Sequence, residues 1–200
     1  MGPRKLLESD ALIFLLIGAS AVGKSSLAIE LCAAGLVEGQ PTWATRKPRP
    51  GETVASCDHR FVSAEEFDMQ SRKGGFLAEE SLYKGRYGVP FLHEPASGLD
   101  VLMVLKPVFI PKFKEYYPNT RVYQIEASPE VLPQRMRMRG QSEEEIATRM
   151  EVYEHETAAA RRFADVIFSN DGPFEEAYNQ VSTQICLDRE AYITAQAIAI

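Results

Sequence analysis

Residues that would narrow the chemistry at once are scarce: the 200-residue chain has one tryptophan, three histidines and three cysteines. Cys32, Cys57 and Cys186 make no C-x-x-C, no zinc-ligand spacing and no even set for pairing. A zinc module and a disulfide scaffold are thereby excluded, and free thiols in a reducing compartment are expected. Positive charge is short as well, with 22 Lys and Arg against 28 Asp and Glu, a net of −6. No broad basic field exists to attract nucleic acid or an anionic membrane, so neither is expected as a partner, and any anion must be held by a local site. The apolar run at residues 11–17 is too short to cross a bilayer and runs into a glycine loop rather than a cleavage site. A cytoplasmic protein is expected, and nothing in the pattern fixes its oligomeric state.

What is present is enough apolar material, 45% of residues, for one domain of ordinary size. Residues 12–17 are continuously apolar and stop at Gly18, the pattern of a strand buried on both faces of a parallel sheet. Helical spacing follows at residues 25–34 and ends at Gly35. Residues 42–88 change character: Pro48, Pro50 and Gly51, a short helix opened by the capping box Ser63-Ala-Glu-Glu66, and the pair Gly74-Gly75 suggest an inserted lobe. Further buried strands are expected at 101–105, 122–125 and 166–168. Segments started by Pro107 and Pro129 follow the first two of these, and a helix follows the turn Asn170-Asp-Gly-Pro173. A long helix opened by the box Ser142-Glu-Glu-Glu145 carries Ile146, Met150, Tyr153, Thr157 and Ala160 on one face. Strands alternating with helices imply an α/β fold, a parallel sheet covered by helices on both faces.

Gly18-Ala19-Ser20-Ala21-Val22-Gly23-Lys24-Ser25 satisfies G-x-x-x-x-G-K-[ST] between an expected strand and an expected helix start. In such a loop, glycines let backbone N–H groups turn inward around a phosphate, and the helix N-terminus adds partial positive charge. Lys24 can then bridge the β- and γ-phosphates of ATP, the Ser25 hydroxyl can ligate Mg²⁺, and Ser26 is expected among the nucleotide-binding residues. This pattern serves kinases, GTPases and motor ATPases alike. Arginines narrow the choice. Arg46 and Arg49 lie three apart in a proline-stiffened stretch, Arg135 and Arg139 four apart on one expected helical face, and Arg149 on the next helix. Guanidinium forks bind phosphate bidentately and do not deprotonate, which suits a small phosphorylated acceptor. Arg137 points elsewhere on its helix.

Several stretches in order resemble the guanylate kinase family: the phosphate loop, T-R-x-P-R-x-G-E from Thr45, F-V-S-x-x-E-F from Phe61, the pair Tyr87-Gly88, L-x-x-R-x-x-x-R-G from Leu132, I-x-x-R from Ile146, and Asn170-Asp171. The resemblance implies a P-loop core (residues 11–41, 99–134 and 150–187), an inserted acceptor-binding lobe (42–90) and a mobile helical lid at about 135–149. It implies ATP with Mg²⁺ as donor and GMP as acceptor. Arg46 and Arg49 would grip the acceptor phosphate beside Thr42 and Tyr87. Arg135, Arg139 and Arg149 would close over the transferring group, and Asn170 would lie near the adenine.

The chain departs from that family at three places. Asp58 is followed by His59 where the family has tyrosine, so His59 is the candidate replacement donor for the acceptor phosphate. Phe76-Leu77 is followed by Ala78 where the family has a guanine-reading glutamate, and Glu79 or Glu80 could serve only through a register shift. Met103 and Leu105 stand in the strand that carries two aspartates in the family. A base site lined by Ala78, Met103 and Leu105 would discriminate through shape, favouring GMP over AMP by about tenfold at most. Two other readings share these motifs. The ribose 1,5-bisphosphate kinases also have the phosphate loop, Tyr-Gly-Val like Tyr87-Gly88-Val89, and Asn-Asp-Gly like Asn170 to Gly172. Non-catalytic guanylate kinase-like domains bind phosphorylated peptides but have typically lost the phosphate loop, which this chain keeps.

Overall fold

The computed structural model describes residues 11–48, 52, 56–82 and 85–198. Its first sheet orders five parallel strands β2-β7-β1-β8-β9, with β1 (Ile13–Ile17) in the centre. The others are β2 (Glu38–Gly39), β7 (Val101–Val104), β8 (Thr120–Glu126) and β9 (Val166–Ser169). Side chains of β1 alternate between two buried layers. Phe14 and Leu16 face one layer with helices α1 (Lys24–Ala33), α4 (Leu132–Met138) and α6 (Phe174–Ile198). Ile13, Leu15 and Ile17 face the other, with α3 (Ile110–Tyr116) and Ala160 of α5 (Glu143–Arg161). Burial on both faces is why the strand reads as an unbroken apolar run.

A second sheet, ordered β4-β3-β6-β5, is built from β3 (Thr42–Ala44), β4 (His59–Phe61), β5 (Phe76–Leu82) and β6 (Gly85–Pro90). Strands β3 and β4 run parallel, and β6 pairs antiparallel with both β3 and β5. Helix α2 (Ala64–Arg72) starts from the expected capping box at Ser63 and packs under this sheet through Phe67, whose ring lies 4.6 Å from that of Phe76. Leu77 and Val89 reach from this sheet into the same apolar layer as Ile13 and Leu15, which seats it on the core.

Two local expectations needed adjustment. Pro129 does not open a helix: residues 129–131 form a turn, and α4 begins at Leu132, with Pro133 in its first turn, where a missing N–H is harmless. Met103 lies away from the cleft: it is 0% exposed and packs in the apolar layer with Leu15 and Phe113, where alternation along β7 turns it. Leu105, just beyond β7, is 3% exposed in the same layer and also contributes to the cleft wall.

Candidate active site

Strand β1 is the switch point of the first sheet, flanked by β7 on one side and β8 on the other, both parallel to it. Ligands of open α/β sheets sit beyond the carboxyl ends of strands at such a point. The phosphate loop lies there. Gly18 has φ +135°, and an added Cβ would stand 2.2 Å from the carbonyl oxygen of Ile125 on β8, so only glycine lets the chain leave β1 against its neighbour. Gly23, the N-cap of α1, has φ +107°, and its missing Cβ leaves room for Asn170 Nδ2 at 2.3 Å from the position that Cβ would take. Lys24 Nζ donates to the carbonyls of Gly18 (2.8 Å) and Ala19 (2.7 Å), folding back over the loop.

A cleft of about 1130 Å³ opens in front of this loop. Gly18, Ser20, Ala21, Gly23, Lys24 and Ser25 line one part of it. Ala19 and Val22 are buried beneath the loop, and Ser26 is exposed in the first turn of α1. Another part of the same wall comes from the second sheet: Thr42, Arg46, His59, Glu80 and Tyr87. Thr42 and His59 are register partners on β3 and β4, and Thr42 Oγ1 lies 2.8 Å from His59 Nδ1. His59 is thus a half-buried wall residue in ring contact with Tyr87, not a surface loop residue.

Arg46 is the most constrained cation of the site. It is 8% exposed, holds Glu52 through Nη1 and Nη2 (2.6 and 2.9 Å), and lies 4.7 Å from the centre of the Phe61 ring. Burial opposes its charge, but the Glu52 carboxylate outweighs that and holds its pKa above the ordinary arginine value, with a further contribution from Tyr87. Arg139 goes the other way: burial pushes its pKa down, Glu52 resists, and nearby Arg135 and Arg149 add repulsion. Glu52 thus favours the charged form of both Arg46 and Arg139, and Arg139 and Arg149 both line the cleft. The expected shared face does not carry both arginines to the cleft: Arg139 is the C-cap of α4 and lines it with Arg149, whereas Arg135 does not.

Arg135 stands back from the cleft wall. Its Nη2 donates to the backbone carbonyl of Asn170 (2.6 Å), while its Nη1 is buried without a partner. Asn170 is itself 5% exposed and donates through Nδ2 to the Val22 carbonyl (2.8 Å), tying the end of β9 to the phosphate loop. Arg137 pairs at the surface with Glu143. Arg49 lies outside the described residues. Asp100 emerges at the opposite end of β7, where it accepts from Leu12 N (3.0 Å) and Arg189 Nε (2.6 Å). Sequence reasoning passed over two groups. Glu52 was quoted in a motif without a role, and Lys106, just beyond β7, lines the cleft with its Nζ 3.0 Å from Glu80 Oε2 and 4.9 Å from the Tyr87 ring centre. All three cysteines are free.

A loop of inward backbone, a lysine and a group of partly buried arginines around one cleft can hold a polyphosphate and neutralise charge moving between two phosphates. Comparison with known proteins agrees in fold and in sequence. The chain superposes on the crystal structure of guanylate kinase from Anaplasma phagocytophilum with a TM-score of 0.65, covering 92% of this chain and 88% of that one at 21% identity. No family model matches the chain. It is 34% identical over 153 residues to the guanylate kinase of Symbiobacterium thermophilum, covering 72% of this chain and 70% of that protein. It is 30% identical over 190 residues to the guanylate kinase of Rickettsia felis, covering 92% and 97%. With relatives this similar along most of their length, the chain belongs to the guanylate kinase family.

Proposed function

We propose that the chain transfers the γ-phosphoryl group of ATP to GMP, giving ADP and GDP. The observation that carries this reading is the single cleft: the phosphate loop and the Thr42, Arg46 and Tyr87 wall face one space, with Arg139 and Arg149 on its rim. In this reading the loop and Lys24 hold the donor phosphates, and Arg46, with Tyr87, holds the acceptor phosphate. Arg139 and Arg149 neutralise the charge that spreads over the equatorial oxygens during transfer. Arg49 would join Arg46. Glu52 pairs with the Arg46 fork, and an acceptor phosphate would share or replace that partner of a buried guanidinium. Asn170 acts on the nucleotide through the loop that it fastens.

When bound, Mg²⁺ would supply charge neutralisation on the nucleotide phosphates. The chain offers it the Ser25 hydroxyl in the cleft, and among the described residues no group of three or more His, Cys, Asp and Glu side chains could hold a metal ion. A single hydroxyl suits a cation that keeps waters and binds chiefly through substrate phosphates. Closure over the cleft would exclude water and favour transfer over hydrolysis.

The test is GDP and ADP formation from GMP, ATP and Mg²⁺ by the wild type and by Lys24→Met. The variant should lose about 10²–10³-fold in kcat, the usual cost of one charge-stabilising group. Its fold, followed by circular dichroism, should be kept. No GDP from the wild type, or near-native turnover by the variant, would sink the assignment.

A further inference from the structure

The base-reading acids usual in the family are absent, yet the cleft contains a carboxylate and an ammonium side by side. Alternation along β5 places Glu80 on the same face as Ala78 two residues earlier, so no register shift is needed to bring a glutamate to this wall. Glu79 points the other way, toward Ser71 and Arg86 on the side of α2. From the core sheet, Lys106 comes across to meet Glu80 at 3.0 Å. Tyr87 stands on the same wall as two cations of different duty: Arg46, whose guanidinium is held by Glu52, and Lys106, whose Nζ sits 4.9 Å over the Tyr87 ring. The phosphate-binding guanidinium and the Glu80–Lys106 pair thus occupy different stations on one wall.

We infer that Glu80 and Lys106 are the specificity determinants of this chain and read the edge of a 6-oxopurine. This rests on the GMP assignment above. Their mutual bond uses one of three ammonium donors and one of two carboxylate oxygens. A donor beside an acceptor matches guanine, whose O6 accepts while N1–H and the 2-amino group donate. Adenine presents the reverse, a 6-amino donor beside an N1 acceptor, and sets like against like at both positions. A site built to pair such groups rejects the analogue that leaves them unpaired by about 10⁴-fold or more, far beyond what a shape-only pocket achieves. Inosine monophosphate loses only the 2-amino bond and keeps the 6-oxo edge, so it should lie within about tenfold of GMP in kcat/KM.

The experiment measures kcat and KM for GMP, IMP and AMP at saturating ATP in the wild type, Lys106→Met, Glu80→Gln and the exchanged double variant Glu80→Lys with Lys106→Glu. The single variants should raise KM for GMP and IMP at least tenfold while kcat falls less and ATP-analogue affinity stays unchanged. The exchange keeps an ion pair but inverts donor and acceptor, so the GMP preference over AMP should fall by about a hundredfold or more. Should that variant not fold, Glu80→Gln, of the same shape, carries the test alone. Variants that keep the wild-type GMP-to-AMP ratio while the wild type makes GDP overturn this inference alone. A wild type that makes no GDP removes the proposed function, and this inference with it.

Discussion

Replacing Asn170 with alanine isolates one hydrogen bond that joins two distant parts of the chain. The Asn170 backbone keeps its partners in the variant: its N–H still donates to the Glu126 carbonyl (2.8 Å), and its carbonyl still accepts from Arg135 (2.6 Å). Only the donation from Nδ2 to the Val22 carbonyl is removed. Val22 is 0% exposed, so its carbonyl is left in the interior without that donor, which costs about 1–3 kcal/mol. For a chain of this size each kcal/mol lowers Tm by roughly 2–4 °C, so a cost near 2 kcal/mol predicts a fall of about 4–8 °C. The same bond pins the loop turn at Gly23, and its loss should raise KM for ATP more than KM for GMP. Thermal denaturation followed by circular dichroism, with steady-state kinetics at varied ATP, reads both effects. A variant melting within about 1 °C of the wild type, with its ATP KM unmoved, would refute the view that Asn170 supports the loop.

On the acceptor side, Arg46→Ala should raise KM for GMP and lower kcat while leaving calorimetric binding of an ATP analogue nearly unchanged; equal loss of both affinities would assign this arginine to the donor. Alkaline stability should fall between pH 10 and 12. Burial pushes the Tyr117 phenol up to about 12 from an ordinary value of 10. The folded state therefore holds that proton more tightly than the unfolded state. The stabilisation is complete below pH 10 and is lost as pH rises through 12, amounting to about 2–3 kcal/mol. Tyr123, buried and bonded to Asp188, shifts in the same direction and adds to the loss. Denaturant midpoints that stay constant between pH 9 and 11.5 would show that neither phenol is held in its neutral form by the fold.

The sequence by itself settled whatever depends on local pattern. Residues 12–17 declared a strand buried on both faces because both faces are covered, and Ser63 and Ser142 declared helix starts because the capping box is a contact across three residues. The loop from Gly18 to Ser25 was legible for the same reason, since its glycines answer constraints of the turn itself. What only the tertiary structure decided is which side chains meet across elements. The face of β7 follows from its register with β1, and that register sends Met103 into the core beside Leu15. The β strands of the second sheet are short, polar and interrupted by a bulge between Phe76 and Ala78, so no period-2 pattern announced which glutamate faces the cleft. Lys106 and Glu80 are 26 residues apart, and Asn170 and Val22 are 148 apart. Such pairs leave no trace in local spacing, because they exist only where packing of one sheet on another brings separate strand ends to a common wall.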